Sequence, residues 1–109
     1  MRYLILLWGD AEGEAALSPE ERRAIMERHR EMSERLHAEG KLVLGDPLAG
    51  GGKVLRGDLV TDGPFVETKE QLGGYYIVDV ASADEALAIA REIPESPGLV
   101  VEVLPTSGI

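Results

Sequence analysis

The stretch SPEERRAIMERHREMSERLHAEG, residues 18–40, predicts a long amphipathic helix and carries the clearest local signal for the fold. Ser18 is a typical N-cap, Pro19 suits the first helical position, and Glu21 completes a capping box. Gly40 marks the end of the helix. Side chains that recur at steps of four, three and four residues share one helix face, which is expected to pack on a core. The members of this face are Ile25, His29, Met32 and Leu36.

Segments rich in apolar and β-branched residues predict an antiparallel sheet around this helix. The predicted strands are Tyr3–Trp8, Lys41–Leu44, Tyr75–Val80 and Leu99–Leu104. A second helix is predicted at Ala83–Ile93, since Ser82 can cap it and Pro94 stops it. Residues 45–47 and 50–52 are expected in a loop, followed by a small hairpin at 54–60. The element order predicts the α+β class, with a ferredoxin-like βαββαβ antiparallel sheet and both helices on one face.

The first predicted strand is apolar on both of its faces. Odd-numbered and even-numbered positions from Tyr3 to Trp8 point to opposite sides of the sheet, and both sets are apolar. Two helices cover only one of these sides. The other side needs a cover, and the simplest cover is a second copy of the same sheet. We therefore predict a homodimer, with clefts between the layers in which small molecules would bind.

The composition excludes several classes of function. The 109 residues include 44% hydrophobic side chains, enough for one compact domain, and no cysteine, which excludes thiolate metal sites and cysteine nucleophiles. The formal net charge of -9 disfavours nonspecific binding to nucleic acids and to acidic membranes. No apolar run approaches the roughly 18 residues of a membrane-spanning helix. The sequence indicates a cytoplasmic protein with no metal site, no cofactor, and no direct nucleic-acid or membrane partner.

The segment DGPFVETKEQLGGYY, residues 62–76, is the most distinctive motif of the chain. Its opening Asp-Gly-Pro-Phe, its Glu-Thr-Lys-Glu run and its Leu-Gly-Gly entry into an aromatic strand resemble the signature of the DGPF-domain family, within the YCII-related superfamily. The likeness extends across nearly the whole chain, and residues 1–109 are assigned to a single domain of this kind. The resemblance implies a dimeric ferredoxin-like α+β barrel, similar in architecture to muconolactone isomerase. Most members are functionally uncharacterised, and some are encoded beside extracytoplasmic-function sigma factors.

The resemblance also implies an acid–base pair made of a histidine and an aspartate. His29 matches the helix histidine, and Asp62, held at the exit of a strand by Gly63-Pro64, is its natural partner. A carboxylate within hydrogen-bond reach would raise the pKa of the imidazole toward neutrality, as proton abstraction or a lyase step requires. Asp46 is a second candidate partner, although an aspartate before proline also reads as a turn former. A histidine at the edge of the core, bonded to a backbone carbonyl, also explains His29.

Four further residues are candidates for ligand binding. Trp8 and Tyr75 would stack on an aromatic ligand if they face the cleft, whereas at a dimer interface they would serve packing. Glu67 and Lys69 would line the mouth of the pocket and contact a small acidic ligand. As an alternative, the Glu-Thr-Lys-Glu run forms one solvated helical turn. His37 lies near the helix C-terminus and is interpreted as structural.

Two functional hypotheses follow. In the first, a cleft of the dimer binds a small acidic or aromatic molecule, and His29 with Asp62 moves a proton in a lyase- or isomerase-type reaction. In the second, the protein is a non-enzymatic regulatory or interaction partner linked to sigma factors. An inward histidine on a polar helix needs a partner to offset its burial, and this favours the first hypothesis. Neither hypothesis identifies a substrate.

Overall fold

The computed structural model describes residues 1–108, and within them the chain forms six strands and three helices. In chain order these are β1 (Arg2–Asp10), α1 (Ala11–Ala15), α2 (Pro19–Ala38), β2 (Leu42–Pro47), β3 (Lys53–Arg56), β4 (Leu59–Asp62), β5 (Glu70–Asp79), α3 (Ala83–Ala90) and β6 (Val100–Pro105). Four strands form an antiparallel sheet in the order β2-β5-β1-β6, and β3 pairs with β4 in a separate hairpin. The protein is therefore of the mixed α+β class, and its sheet is compatible with the ferredoxin-like fold predicted from the sequence.

The core lies between one face of the sheet and the helices α2 and α3. Ile5, Leu36 and Val78 are completely buried, and they come from β1, α2 and β5. Tyr3 pairs with Val78, and Ile5 pairs with Tyr76, so these side chains share the face that the helices cover. Helix α3 contributes two buried side chains, Ala86 and Ile89. Burial of this face is the main stabilising contribution to a domain of this size.

The opposite face of the sheet, here called the open face, is apolar and is not covered by a helix within residues 1–108. Its apolar members are Leu4, Leu6, Leu44, Ile77 and Leu104. Leu4 lies opposite Ile77 in β5 and opposite Leu104 in β6. Leu44 is 49% exposed and Leu104 is 38% exposed. Both faces of β1 are thus apolar, as predicted, and one of them is left uncovered within a single chain.

Helix α2 begins as its sequence predicts. The hydroxyl of Ser18 accepts a hydrogen bond from the Glu21 N–H at 3.1 Å, and Glu21 Oε1 accepts one from the Ser18 N–H at 2.9 Å. Together the two bonds form the predicted capping box. The inner face of α2 also agrees with the prediction. Met32 and Leu36 are buried, and Ile25 and His29 are half-buried. His37, on the flank of the helix, is exposed.

The substitution Ser18→Ala is expected to lower the free energy of unfolding by about 1 kcal/mol, because it removes the side-chain acceptor of the Glu21 N–H. Urea unfolding at neutral pH measures the change. Ser107→Ala serves as the control, since Ser107 is exposed and lies outside every helix and strand. Equal unfolding midpoints for the two variants would contradict a stabilising role for the capping box.

Two predicted boundaries differ from the structure, and each difference has a physical reason. Residues 45–47 were predicted in a loop, but they form the end of β2. Because β2 lies at the edge of the sheet, it tolerates Pro47, which has no N–H to donate to a neighbouring strand. Helix α3 ends at Ala90 rather than at Ile93. The N–H groups of Glu92 and Ile93 bond to carbonyls three residues back, which tightens the chain beyond the regular helix.

Two further segments depart from the expectations. The short helix α1 was not predicted, because it contains Gly13 and spans only five residues. Asp10 caps it by accepting a hydrogen bond from the Glu12 N–H at 3.0 Å. The alternative of a helical turn at residues 67–70 is wrong, since residues 67–69 have no helical structure and β5 starts at Glu70. Instead, Gln71 Nε2 donates to the carbonyls of Val66 and Thr68 and holds this loop.

Candidate functional site

A groove of about 940 Å³ runs between α2 and the helix-covered face of the sheet. Its apolar lining includes Leu7, Leu17, Ile25, Met26, Pro94 and Leu99. Uncharged polar side chains also line it, among them His29 and Ser33 from α2 and Tyr76 from β5. An apolar wall with a few polar groups is typical of sites that bind small organic molecules, and the volume is sufficient for such a ligand.

Glycines leave space for this arrangement in the sheet. Gly74 of β5 lies opposite Leu7 in β1 and opposite Pro47 in β2, so the floor of the groove has no side chain there. Gly45 of β2 lies opposite Tyr76, and a Cβ atom at position 45 would be 2.5 Å from Cδ1 of the tyrosine ring. The ring of Tyr76 therefore occupies space that only glycine leaves free in the neighbouring strand.

The central polar contact of the groove joins His29 to Tyr76. Nδ1 of His29 lies 2.6 Å from the hydroxyl oxygen of Tyr76. The two rings are stacked, with their centroids 5.9 Å apart and an interplanar angle of 14°. Ser33 lies one turn beyond His29 on α2, near enough to the Tyr76 hydroxyl for its side chain to lower the pKa of the phenol. The strand thus supplies a phenol between two polar side chains of the helix.

Burial sets the protonation states of this pair. Desolvation lowers the pKa of His29 from its usual 6.5, because partial burial disfavours the charged imidazolium. Burial also raises the pKa of Tyr76 from its usual 10.0, and the hydrogen bond with Ser33 acts in the opposite direction. At neutral pH, His29 is therefore predominantly neutral and Tyr76 keeps its hydroxyl hydrogen. The shift in the pKa of His29 is opposite to the one that a nearby carboxylate would cause.

The charged side chains that line the groove balance one another. Three are acidic and three are basic: Glu14, Glu27, Asp46, Arg22, Arg23 and Arg30. Arg30 forms an ion pair with Glu27, and Nη2 of Arg22 donates to the backbone carbonyl of Glu14 at 2.9 Å. Within residues 1–108, Arg23 forms no ion pair. An acidic ligand is thus repelled less in the groove than over the rest of this protein of net charge -9.

Three residues singled out from the sequence also line the groove. They are Trp8, Asp46 and Tyr75. Trp8 Nε1 donates a hydrogen bond to Glu102 Oε1 at 3.1 Å. Tyr75 pairs with Leu6 of the open face, so it borders that face as well as the groove. The two aromatic side chains are therefore placed where either ligand stacking or packing between two sheets is physically reasonable.

The other predicted site residues lie outside the lining of the groove. Asp62 forms an ion pair with Lys53 across the hairpin, and its side chain is 83% exposed. Lys69 forms an ion pair with Asp10 at 3.3 Å, and Glu67 is exposed in the loop before β5. The hydrogen bond that the structure gives to the His29 ring goes to Tyr76. Pairing of His29 with Asp62 thus stays a prediction.

Sequence reasoning missed the two hydroxyl groups of the site. Ser33 carries a usable signal, because it follows His29 by four residues and so lies on the same helix face. Tyr76 carries a weaker one, since the adjacent Tyr75 offers a second phenol on the opposite face of the same strand. The strand pairing resolves this ambiguity, because it places Tyr76 opposite the buried Ile5.

Within residues 1–108, no group of three or more histidine, aspartate or glutamate side chains could hold a metal ion. In the same part of the chain, no helix is both long enough and apolar enough to cross a membrane. The polar groups that line the groove are suited to hold an organic ligand through hydrogen bonds.

Comparison with known proteins identifies the family of this chain. The chain matches the YCII-related domain over residues 1–106. It is also 36% identical, over 99 residues, to an uncharacterized protein of Rhizobium meliloti (strain 1021), an alignment that covers 85% of this chain and 80% of that relative. The chain belongs to the YCII-related family.

Proposed function

We propose that the protein is a small-molecule-binding protein or enzyme whose ligand occupies the groove beside His29. The observation that carries this proposal is the 2.6 Å contact between His29 and Tyr76 in the wall of a mostly apolar groove. A partly buried imidazole with a shifted pKa, placed in a cleft, is a common feature of functional sites. Structural packing alone does not require a groove of about 940 Å³ at the same place.

The lining favours a small aromatic or acidic ligand. The apolar side chains of the lining would bury the body of such a molecule, and Trp8 and Tyr75, which border the groove, stay candidates for stacking on it. Glu67 and Lys69 are proposed at the rim, as the DGPF-like motif suggests, and Lys69 would have to leave Asp10 to reach a ligand. The motif at residues 62–76 also supports placing the chain in the DGPF group of the family.

Binding of benzoate, followed by amide chemical shifts in NMR spectra, tests this proposal. We expect saturable shifts at groove residues, including Gly74 and Ser33, and weaker or absent shifts with benzylammonium, which has the same ring and the opposite charge. Met26→Trp, which would fill the groove from the exposed side of α2, should abolish the shifts. Leu87→Trp, on an exposed position of α3, is the matched control. If neither probe shifts the groove residues at millimolar concentration, the ligand assignment is wrong.

The reaction proposed from the sequence is proton transfer of the lyase or isomerase type. It rests on His29, and the acidic partner named from the family resemblance is Asp62, with Asp46 as the alternative. Asp46 lines the groove, whereas Asp62 is paired with Lys53. The geometry therefore supports Tyr76 as the group that orients the imidazole, and titration of His29 decides among the three partners.

We expect His29 to titrate below 6.5 in the wild-type protein and equally low in Asp62→Asn, because its ring is desolvated and bonded to Tyr76. With the folded pKa below the unfolded one, protonation of His29 destabilises the fold as the pH falls below about 6.5. NMR of the imidazole C–H groups across pH measures the pKa of His29.

Asp58→Asn is the matched control for this titration, since Asp58 is an exposed aspartate in the turn of the same hairpin. A further fall in the pKa of His29 in Asp62→Asn, absent from Asp58→Asn, would support the pair predicted from the sequence. The same result in Asp46→Asn alone would assign the role to Asp46.

We also propose that the protein forms a homodimer through the open face, because this apolar surface has no cover within residues 1–108.

A non-enzymatic role beside a sigma factor is the second candidate function. It is favoured by the net charge of -9 and by the exposed apolar residues of the hairpin, such as Leu55, which is 69% exposed. This role predicts no ligand in the groove, so the benzoate titration separates the two functions.

A further inference from the structure

We propose that Tyr76 and Ser33 fix the polarity of the His29 ring, so that the neutral imidazole carries its hydrogen on Nε2 and offers it to an acceptor oxygen of the ligand. The inference rests on the proposed function only in assuming that a ligand occupies the groove. Tyr76 and Ser33 are positioning residues here, because they act on the ligand through His29.

The hydrogen-bonding capacity of the three side chains determines which of them donates and which accepts. The phenol has one hydrogen to donate, and its oxygen lies 2.6 Å from Nδ1 of His29, whereas Ser33 is close enough to lower the pKa of the phenol. A phenol is a stronger acid than an aliphatic hydroxyl, and an imidazole nitrogen is a stronger base than a hydroxyl oxygen. The favoured arrangement is therefore donation from Ser33 to Tyr76 and from Tyr76 to Nδ1 of His29.

The burial of the pair supports this arrangement. It lowers the pKa of His29 and raises that of Tyr76, so both groups are neutral over a wide range around pH 7. A neutral imidazole has one N–H and one bare nitrogen. Because Nδ1 accepts the phenol hydrogen, the N–H must be at Nε2.

The other nitrogen of His29 is available to a ligand. Within residues 1–108, Nε2 has no hydrogen-bond partner, and no buried side-chain nitrogen or oxygen lacks one. Nε2 is therefore in contact with solvent, and the side chain lines the groove. A ligand carbonyl or carboxylate oxygen would be the matching acceptor for its N–H.

The partner of Nδ1 decides what His29 can do. A carboxylate would accept the hydrogen of Nδ1 and leave Nε2 as a base that can remove a proton. Tyr76 as a donor has the opposite effect, and His29 then stabilises negative charge on a ligand oxygen through a neutral hydrogen bond. This changes the role of His29 in the lyase- or isomerase-type reaction proposed above: His29 would stabilise the charge on the ligand oxygen, and a different group would remove the proton from carbon.

The test is NMR of the ring nitrogens in ¹⁵N-labelled protein at neutral pH without any ligand. We expect the ¹⁵N frequencies of the two ring nitrogens of His29 to be widely separated, as for one protonated and one bare nitrogen. The couplings to both ring C–H groups identify Nε2, which should have the frequency of the protonated nitrogen. Exposed His37 should show the averaged frequencies of a tautomer mixture. Tyr76→Phe should move the His29 frequencies toward this average, whereas Tyr75→Phe, the matched control, should leave them unchanged.

Ser33→Ala adds a second readout, since it removes the donor to the phenol oxygen. We expect it to keep the tautomer of His29 and to raise the pKa of Tyr76, followed with ¹³C-labelled tyrosine. A hydrogen on Nδ1 in the wild-type protein, or an unchanged His29 spectrum in folded Tyr76→Phe, would overturn the inference. Failure of benzoate to bind would leave these frequencies as they are and would reject only the proposed function.

Discussion

Replacing Gly45 by alanine is expected to lower the free energy of unfolding by about 1–3 kcal/mol and to displace the ring of Tyr76 from His29. The added Cβ atom would lie 2.5 Å from Cδ1 and 3.0 Å from Cε1 of Tyr76, and 3.1 Å from the backbone oxygen of Tyr75. The ring is held by the core on its other side, and the backbone oxygen belongs to a paired strand, so neither can move without cost. Urea unfolding measures the stability, and the ring nitrogens of His29 report the loss of the contact.

Gly52→Ala is the control for this effect. A Cβ atom at position 52 would meet no atom within 4 Å, and Gly52 is not among the glycines with positive φ. The substitution should therefore be neutral or slightly stabilising, because it only restricts the unfolded chain. If Gly45→Ala and Gly52→Ala unfold at the same urea concentration, Gly45 is not needed for packing of the site.

The elements that could be predicted from the sequence are those fixed by local chemistry. The capping box of Ser18 and Glu21, the inner face of α2 and the hairpin of β3 and β4 depend on residues that are close together in the chain. Residues 45–47 were misjudged for the opposite reason. Glycine and proline indicate a turn locally, but here they belong to the edge strand β2. Its neighbour β5 carries the ring of Tyr76, which packs against Gly45.

The candidate site was predictable only in part, because its contacts join distant parts of the chain. The helix period placed His29 on the inner face without showing what it would meet. Its hydrogen-bond partner lies 47 residues away on β5, and strand parity alone cannot choose between Tyr75 and Tyr76. The resemblance to a family with a histidine–aspartate pair predicts Asp62 as the partner of His29, but the ion pair of Asp62 is with Lys53.

The open face supports a further expectation. Its central residues come from β1 and β5, the two inner strands of the sheet, so the middle of the open face is apolar and has no free strand edge. Apolar surface removed from water contributes roughly 25 cal/mol per Å² to association, and a stable interface buries about 800 Å² per partner. A charge at the centre of such an interface would be desolvated without a partner, which costs several kcal/mol.

Ile77→Asp is therefore expected to convert a dimeric protein into a monomer, since Ile77 lies opposite Leu4 and Leu44 at the middle of the open face. Sedimentation equilibrium should give twice the chain mass for the wild-type protein and the single chain mass for the variant. Ile77 is not among the buried core residues, so circular dichroism should show that the monomer keeps its helices. Leu87→Asp, at an exposed position of α3, is the matched control and should remain dimeric. A wild-type monomer at all concentrations, or a dimeric Ile77→Asp, would show that the open face is not the interface.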